Sequence, residues 1–284
     1  MALRVFIFVF LATPILRATE MVGAVSSGLG GTGRAAVESN ESLYLNPASI
    51  ALLDGFYTGF FLQQGFVDRD ISRRSYGLTL SDGTEDLVFP GSLGFRRNTI
   101  NQGATQFKEN EFKAGFSHRL TQRVSLGLGA SYLRARDPNG AVYSQNNLDL
   151  GVLLGLMPNW GLSISGENLL KAESRIPVAL VRNSYFAVGT QYVFTGFFSF
   201  RYEALWPLYL QQKQYLAHRA GVSITMVGDF HLNTGYSIDD SRRQNWTSVG
   251  VVWRGPRLKF AYSYQTEGRQ GLGERHLIDM WFDF

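Results

Sequence analysis

The feature that most constrains this chain is alternation. From Gly55 onward, one stretch after another places an apolar side chain at every second position and a small or polar one between. Val124, Leu126, Leu128, Ala130 and Tyr132 alternate with Ser125, Gly127, Gly129 and Ser131. Phe230, Leu232, Thr234 and Tyr236 alternate with His231, Asn233 and Gly235, and Leu258, Phe260, Tyr262 and Tyr264 with Lys259, Ala261 and Ser263. Successive side chains of a strand point to opposite faces, so period two specifies strands with one apolar and one polar face. Fourteen segments of this kind are centred near residues 54–64, 72–81, 88–98, 110–119, 122–134, 144–156, 159–169, 182–194, 196–206, 213–226, 229–238, 244–254, 256–265 and 275–284.

The connections sharpen this pattern. Every second one is short, as at Leu120-Thr121, Pro158, Thr195 and Gly255, while those between are longer and polar, as at Arg134 to Tyr143 and Leu170 to Val181. Tight turns at one end and longer loops at the other predict an all-β fold, a transmembrane antiparallel barrel of about 14 strands with periplasmic turns and extracellular loops. A β-sandwich or lipocalin-like barrel is the soluble alternative. Here, however, the polar face is mostly Gly, Ser and Ala with isolated charges, which suits a lumen. The apolar face carries Phe, Tyr and Trp near strand ends, where interfacial girdles sit.

Composition agrees. The 284 residues include 31 glycines and 14% aromatics but only 18% charged side chains, and the mean hydropathy is −0.07. A lipid face and a lumen face averaged residue by residue give such a near-neutral value. No cysteine is present, so a disulfide scaffold or cysteine-ligated metal is excluded. No apolar run past the N-terminus is long enough for a membrane helix.

Residues 5–16 (VFIFVFLATPIL), flanked by Arg4 and by Arg17-Ala18, read as a secretory signal peptide covering residues 1–18, with cleavage after Ala18 or as far on as Ala24. Cleavage after Ala18 removes Arg4 and Arg17 and lowers the formal net charge from +4 to +2, and no Lys/Arg cluster marks a nucleic-acid face. The expected division is signal peptide, an N-terminal plug over residues 19–53, and a barrel over residues 54–284. The last strand, His276 to Phe284, puts Ile278, Met280, Phe282 and Phe284 on one face and Asp279 and Asp283 on the other. A terminal Phe at that parity, with Phe282, resembles the signal read by the bacterial barrel-assembly machinery, which makes that machinery an expected partner.

The segment before the barrel reads SSGLGGTGRAAVESNESLYLNPASIALL from Ser26 to Leu53. Gly28, Gly30 and Gly33 match the spacing of a dinucleotide-binding loop, but an antiparallel meander follows instead of a βαβ unit, so that reading is rejected. The stretch Gly30, Gly31, Thr32, Gly33, Arg34 and the box Tyr44-Leu45-Asn46-Pro47-Ala48 instead resemble the plug of the FadL family of outer-membrane transporters for long-chain fatty acids and aromatic hydrocarbons. Gly166-Glu167-Asn168-Leu169-Leu170 followed by Ile176-Pro177-Val178 is similar to a segment of FadL-like barrels associated with secretion. The resemblance implies a barrel in the outer membrane of a Gram-negative bacterium that takes up small hydrophobic compounds passively, with a plug that gates or merely fills the lumen. The alternative is a non-transporting structural or partner-binding barrel. In the family a kink in the third strand opens a lateral exit, which would fall at Pro90 and Gly91 here; the preferred reading is that Pro90 merely starts the strand after the turn at Asp82-Gly83. This chain is shorter than the family's transporters, and its loops, such as Asn98 to Asn110 and Thr266 to Gly273, are polar, where the family has its hydrophobic capture site.

With even positions facing lipid in most strands, odd positions collect Lys113, Arg119, Asp149, Glu167, Arg201, Glu203, Arg219, Lys259 and Asp279 in the lumen. Mixed signs predict ion pairs that lock the wall or hold the plug through Arg34, Glu38 or Glu41. The four histidines, His118, His218, His231 and His276, form no Ser/His or H-E-x-x-H spacing, so neither an enzyme nor a metal or cofactor site is expected.

Overall fold

The computed structural model describes residues 23–284 except 69–70, 85, 174, 178–179, 195, 209–215, 241–243 and 269–272. The expected signal segment lies outside the described residues apart from Gly23 and Ala24. Fourteen strands close into one antiparallel barrel: β1 (Phe56–Asp68), β2 (Ile71–Asp82), β3 (Gly91–Gln102), β4 (Thr105–Thr121), β5 (Val124–Arg136), β6 (Val142–Met157), β7 (Trp160–Glu167), β8 (Tyr185–Phe194), β9 (Phe198–Pro207), β10 (Ala217–Thr225), β11 (Phe230–Asp239), β12 (Gln244–Arg254), β13 (Leu258–Glu267) and β14 (Glu274–Asp283). Each pairs with its sequence neighbours. β1 closes on β14 from Tyr57↔Asp283 to Phe66↔Glu274, so no sheet edge is left unpaired.

Exposure follows the alternation. Outward positions are large, apolar and exposed, as at Phe60, Phe112 (57% exposed), Phe116, Leu128, Val249 and Met280. On β5 the outward apolar run from Val124 to Tyr132 spans about 20–23 Å at a rise of about 3.3 Å per residue and a tilt of about 40°. That approaches the apolar band of about 25 Å that a bilayer requires. Such an exterior is solvated by lipid; water would leave it as one continuous apolar patch. At the closure, Phe284 donates its backbone N–H to Phe56 O (3.0 Å), and the two rings lie 5.9 Å apart, with Phe282 on the outward face.

Two readings of the sequence need correction. First, the odd-inward parity inverts in β3, where Ser92, Gly94, Arg96 and Asn98 face in, and in β12, where Trp246, Ser248 and Val252 do. Register across the β2–β3 and β11–β12 pairs couples odd to even positions, so numbering parity does not carry around the ring. Second, the alternation of short and long connections is not regular. The stretch 98–110 is a hairpin in which β3 and β4 run on to a turn at Gly103-Ala104, where Gly103 adopts φ +54°. Polar residues on both faces had hidden those strands, because above the membrane both faces are wet. The β2–β3 connection at the turn end is eight residues long (83–90), whereas β1 and β2 are separated by only residues 69 and 70. The longest connection, 168–184 between β7 and β8, folds inward: Ile176 and Leu180 are buried against Ala135, Phe107 and Tyr143.

The third strand is continuous. β3 begins at Gly91 and pairs without a break to β2 (Asp82↔Gly91 to Ile71↔Gln102) and to β4 (Gly91↔Phe116 to Gln102↔Thr105). Pro90 lies just before the strand, in keeping with the reading that it merely starts it, and the pairing leaves no lateral opening at Gly91.

Candidate functional site: a lumen filled by the N-terminal segment

Residues 23–53 lie inside the barrel. They form two short helices, α1 (Ala24–Gly28) and α2 (Ser42–Leu45), and a 3-10 helix, Pro47–Leu52. The last follows from its sequence: Asn46 Oδ1 accepts the backbone N–H of Ala48 (3.0 Å), and Pro47 at the first helical position has no N–H to leave unpaired. Asn46 also ties the segment together, donating Nδ2 to Arg34 O (2.9 Å). The Tyr-x-Asn-Pro-Ala box is thus a local cap and a tertiary clasp at once.

The wall makes room for this backbone with glycines. A Cβ at Gly127 would stand 2.2 Å from the Pro47–Ala48 peptide, one at Gly151 2.0 Å from Asn46 Oδ1, and one at Gly235 2.1 Å from Gly30 N. Gly30 and Gly31 themselves have φ of +73° and +87°, which side-chain-bearing residues rarely adopt. Small polar side chains of the wall then bond the backbone: Ser125 Oγ donates to Ala48 O (2.9 Å), Gln265 Nε2 to Ser27 O (3.0 Å), and Arg219 Nη1 to Gly31 O (3.0 Å). Arg119 Nη2 donates to Ala51 O (2.8 Å) at the turn end.

Charge pairs hold the centre. Arg34 is fully buried and joins Glu167 (2.7 Å) and Glu203 (2.6 Å), and Glu203 also accepts the backbone N–H groups of Gly33 and Arg34 (2.6 Å each). Glu38 joins Arg201 (2.8 Å) and Arg254 (3.1 Å). Burial works to raise the Glu38 pKa, but Arg254 and Arg201 outweigh it and hold the carboxyl below its ordinary range. Glu41 is the opposite case. It accepts the backbone N–H groups of Val25 (3.0 Å) and Ser26 (3.2 Å) and the Ser26 hydroxyl, with no cation. Burial and the nearby Asp279 and Glu38 carboxylates push it up to about 8. Asp279 accepts the backbone N–H of Ala24 (2.8 Å), so two wall or plug carboxyls grip the start of α1.

A second charged layer lies between the plug and the β7–β8 connection. Lys113 pairs with Asp149 (2.5 Å), Arg96 with Glu111, and Arg182 of the connection with Glu109 (2.9 Å). The connection is clasped at its neck by Asn168, at φ 51°, whose N–H donates to Asp149 Oδ1 (2.7 Å) and whose Nδ2 donates to Asn183 O (3.0 Å). Of the charges expected in the lumen, Lys113, Asp149, Glu167, Arg201, Glu203 and Asp279 are buried there. Arg219 is half-buried, Lys259 pairs with Asp283 (2.6 Å) at the turn end, and Arg119 is exposed at that same rim. Arg96, Glu109, Glu111, Arg182 and Arg254 were not expected. Parity inversion hides Arg96 and Arg254 from an odd-position rule, and Glu109 falls in the stretch 98–110 that reads as a loop. The histidines face outward or lie at the rims: His218 and His276 are hydrogen-bonded to Tyr202 (2.6 Å) and Tyr262 (2.8 Å). Among the described residues no His/Cys/Asp/Glu group is arranged to hold a metal.

Fold and site together define a plugged transmembrane barrel. No family model matches this chain, and no curated protein matches it by sequence. Solved structures do. The toluene transporter TbuX of Ralstonia pickettii aligns over 93% of this chain and 99% of its own at TM-score 0.73 and 11% identity. A FadL homologue of Pseudomonas aeruginosa aligns over 93% and 98% at TM-score 0.71 and 12% identity, and the toluene transporter TodX of P. putida over 93% and 99% at TM-score 0.68 and 10% identity. The chain has the FadL-type fold.

Proposed function

We propose that this chain is an outer-membrane channel for passive entry of small hydrophobic compounds, with the N-terminal segment gating the lumen. The observation that carries the reading is how the lumen is filled. A barrel built only as a scaffold can pack its interior with the wall's own side chains. Here the wall presents glycines at 127, 151, 221 and 235, and a separate segment occupies the space. The structures that share this fold are described as toluene transporters and a monoaromatic hydrocarbon channel, which supports apolar cargo for this chain. The short turns and both ends of the barrel chain would then face the periplasm.

One observation favours the non-transporting alternative. Two interior concavities, about 610 Å³ beside Leu53, Pro90 and Arg119 and about 290 Å³ beside Ala35, Leu153 and Trp160, both lie at the turn end, with the plug above them. Uptake of toluene and of a long-chain fatty acid by cells with and without the gene separates the two. Uptake that falls on deletion and returns with the wild-type chain supports the channel; no change for either compound leaves the scaffold. A chain lacking residues 24–46 should conduct ions in a planar bilayer where the intact chain is closed, and equal conductance would remove the gating role.

A further inference from the structure

The outer face of β2 to β6 is basic above its apolar belt. The strands β3 to β6 are the tall side of the wall, and the register between them lays outward residues in transverse rows. One row runs Leu93, Ala114, Ala130, Leu148 and the next, towards the loop end, Phe95, Phe112, Tyr132, Asn146. Because Ala114 and Ala130 are paired and small while their neighbours are large, the two rows enclose an apolar groove of about 700 Å³, with the Phe95 and Phe112 rings 5.0 Å apart on its wall. The following two rows are basic. Arg97, Asn110 and Arg134 are aligned in one, and Arg74, Thr99, Lys108 and Arg136 in the other.

All five cations are exposed, and none forms an ion pair with a described residue. Among the described residues their anionic neighbours are turned away. Glu109 and Glu111 point into the lumen, and Asp137 in the β5–β6 turn accepts the backbone N–H groups of Asn139 and Ala141 (2.9 Å each). A cluster of cations directly above an apolar groove matches a ligand with phosphate at one end and acyl chains at the other.

We infer that the outer face of β2 to β6 is a binding site for a phosphorylated, multiply acylated lipid of the outer leaflet. Arg97 and Arg134 take the phosphate and the Ala114–Ala130 groove takes an acyl chain. The inference rests on the membrane reading of the apolar belt and is independent of transport, so a barrel that conducts or imports nothing still answers it.

The test uses the full chain purified in detergent, with bis-phosphorylated lipid A and its dephosphorylated counterpart as probes in native mass spectrometry. The wild type should hold the phosphorylated form through detergent exchange and the dephosphorylated form far less. Arg97→Glu with Arg134→Glu should weaken retention by about thirtyfold or more, the factor for losing two basic contacts with an anionic lipid surface. Ala130→Trp should fill the groove and weaken it while leaving inorganic phosphate ineffective as a competitor. Arg257→Glu, at the turn end, should leave retention unchanged. Heat-modifiable migration on a gel verifies that each variant has folded. Equal retention of the two lipids by the wild type overturns the site, and full competition by inorganic phosphate overturns the acyl groove.

Discussion

Arg34 illustrates how one side chain can hold two parts of a chain together. It is buried with two carboxylates from strands on neighbouring parts of the wall, so removing it leaves both without their cation. Breaking a buried pair by deleting one partner costs about 3–5 kcal/mol. Arg34→Ala should therefore lower the temperature at which the folded gel band is lost, whereas Arg175→Ala, whose exposed pair with Glu173 is local, should not change it. Glu41 gives a pH signature. Its folded pKa is raised from 4.5 to about 8, so the native state holds a proton that the unfolded chain has released. The stability linked to it is full below about 4.5, falls as pH rises, and is gone above about 8. Thermal melting from pH 4.5 to 8.5 should show this fall in the wild type and a flatter profile in Glu41→Gln. Equal slopes would remove the assignment.

At the level of elements, the plug and the wall were shaped for one another by absence of side chains. Gly127→Val would push a side chain into the Pro47–Ala48 peptide, and the wall cannot move because both neighbouring strands hold it. The expected outcome is a barrel that still migrates as folded but whose segment 23–53 is cut by added protease; protection equal to the wild type would contradict the seating. The β7–β8 connection depends similarly on Asn168 at positive φ. Asn tolerates that conformation better than other side-chain-bearing residues, and a left-handed Ala costs about 1–2 kcal/mol. Asn168→Ala should expose residues 168–184 to proteolysis, with Asn168→Gly retaining the bend but losing the bond to Asn183. Fourteen elements were readable from period two because the lipid face demands apolar residues at every second position. The loop ends of β3 and β4 escape this reading, since beyond the lipid both faces accept polar residues and the alternation fades.

For the whole molecule, the closed ring and the apolar exterior require a non-aqueous surrounding. The chain should need detergent to remain monodisperse and should show a heat-dependent gel shift; a monomer stable in buffer alone would refute the membrane reading. The two charged layers, Arg34 with Glu38 below and Arg96 with Arg182 above, place the interior polar groups in pairs rather than in a ring of one sign. That arrangement ties the N-terminal segment to the wall and leaves no ring of like charge in the described interior.

What could be known from residue order alone was whatever depends on local periodicity: the fourteen strands, the two-faced wall, the Asn46-Pro47-Ala48 turn and the supply of both charge signs to the lumen. Residue order could not show who meets whom. Arg34 finds Glu203 across 169 positions, and Ala24 meets Asp279 across 255, because closing β1 on β14 folds the far ends of the chain into one interior. Register decides the rest. A strand whose parity inverts, as β3 does, carries Arg96 inward and Arg97 outward, and only the pairing to both neighbours determines which of the two is buried.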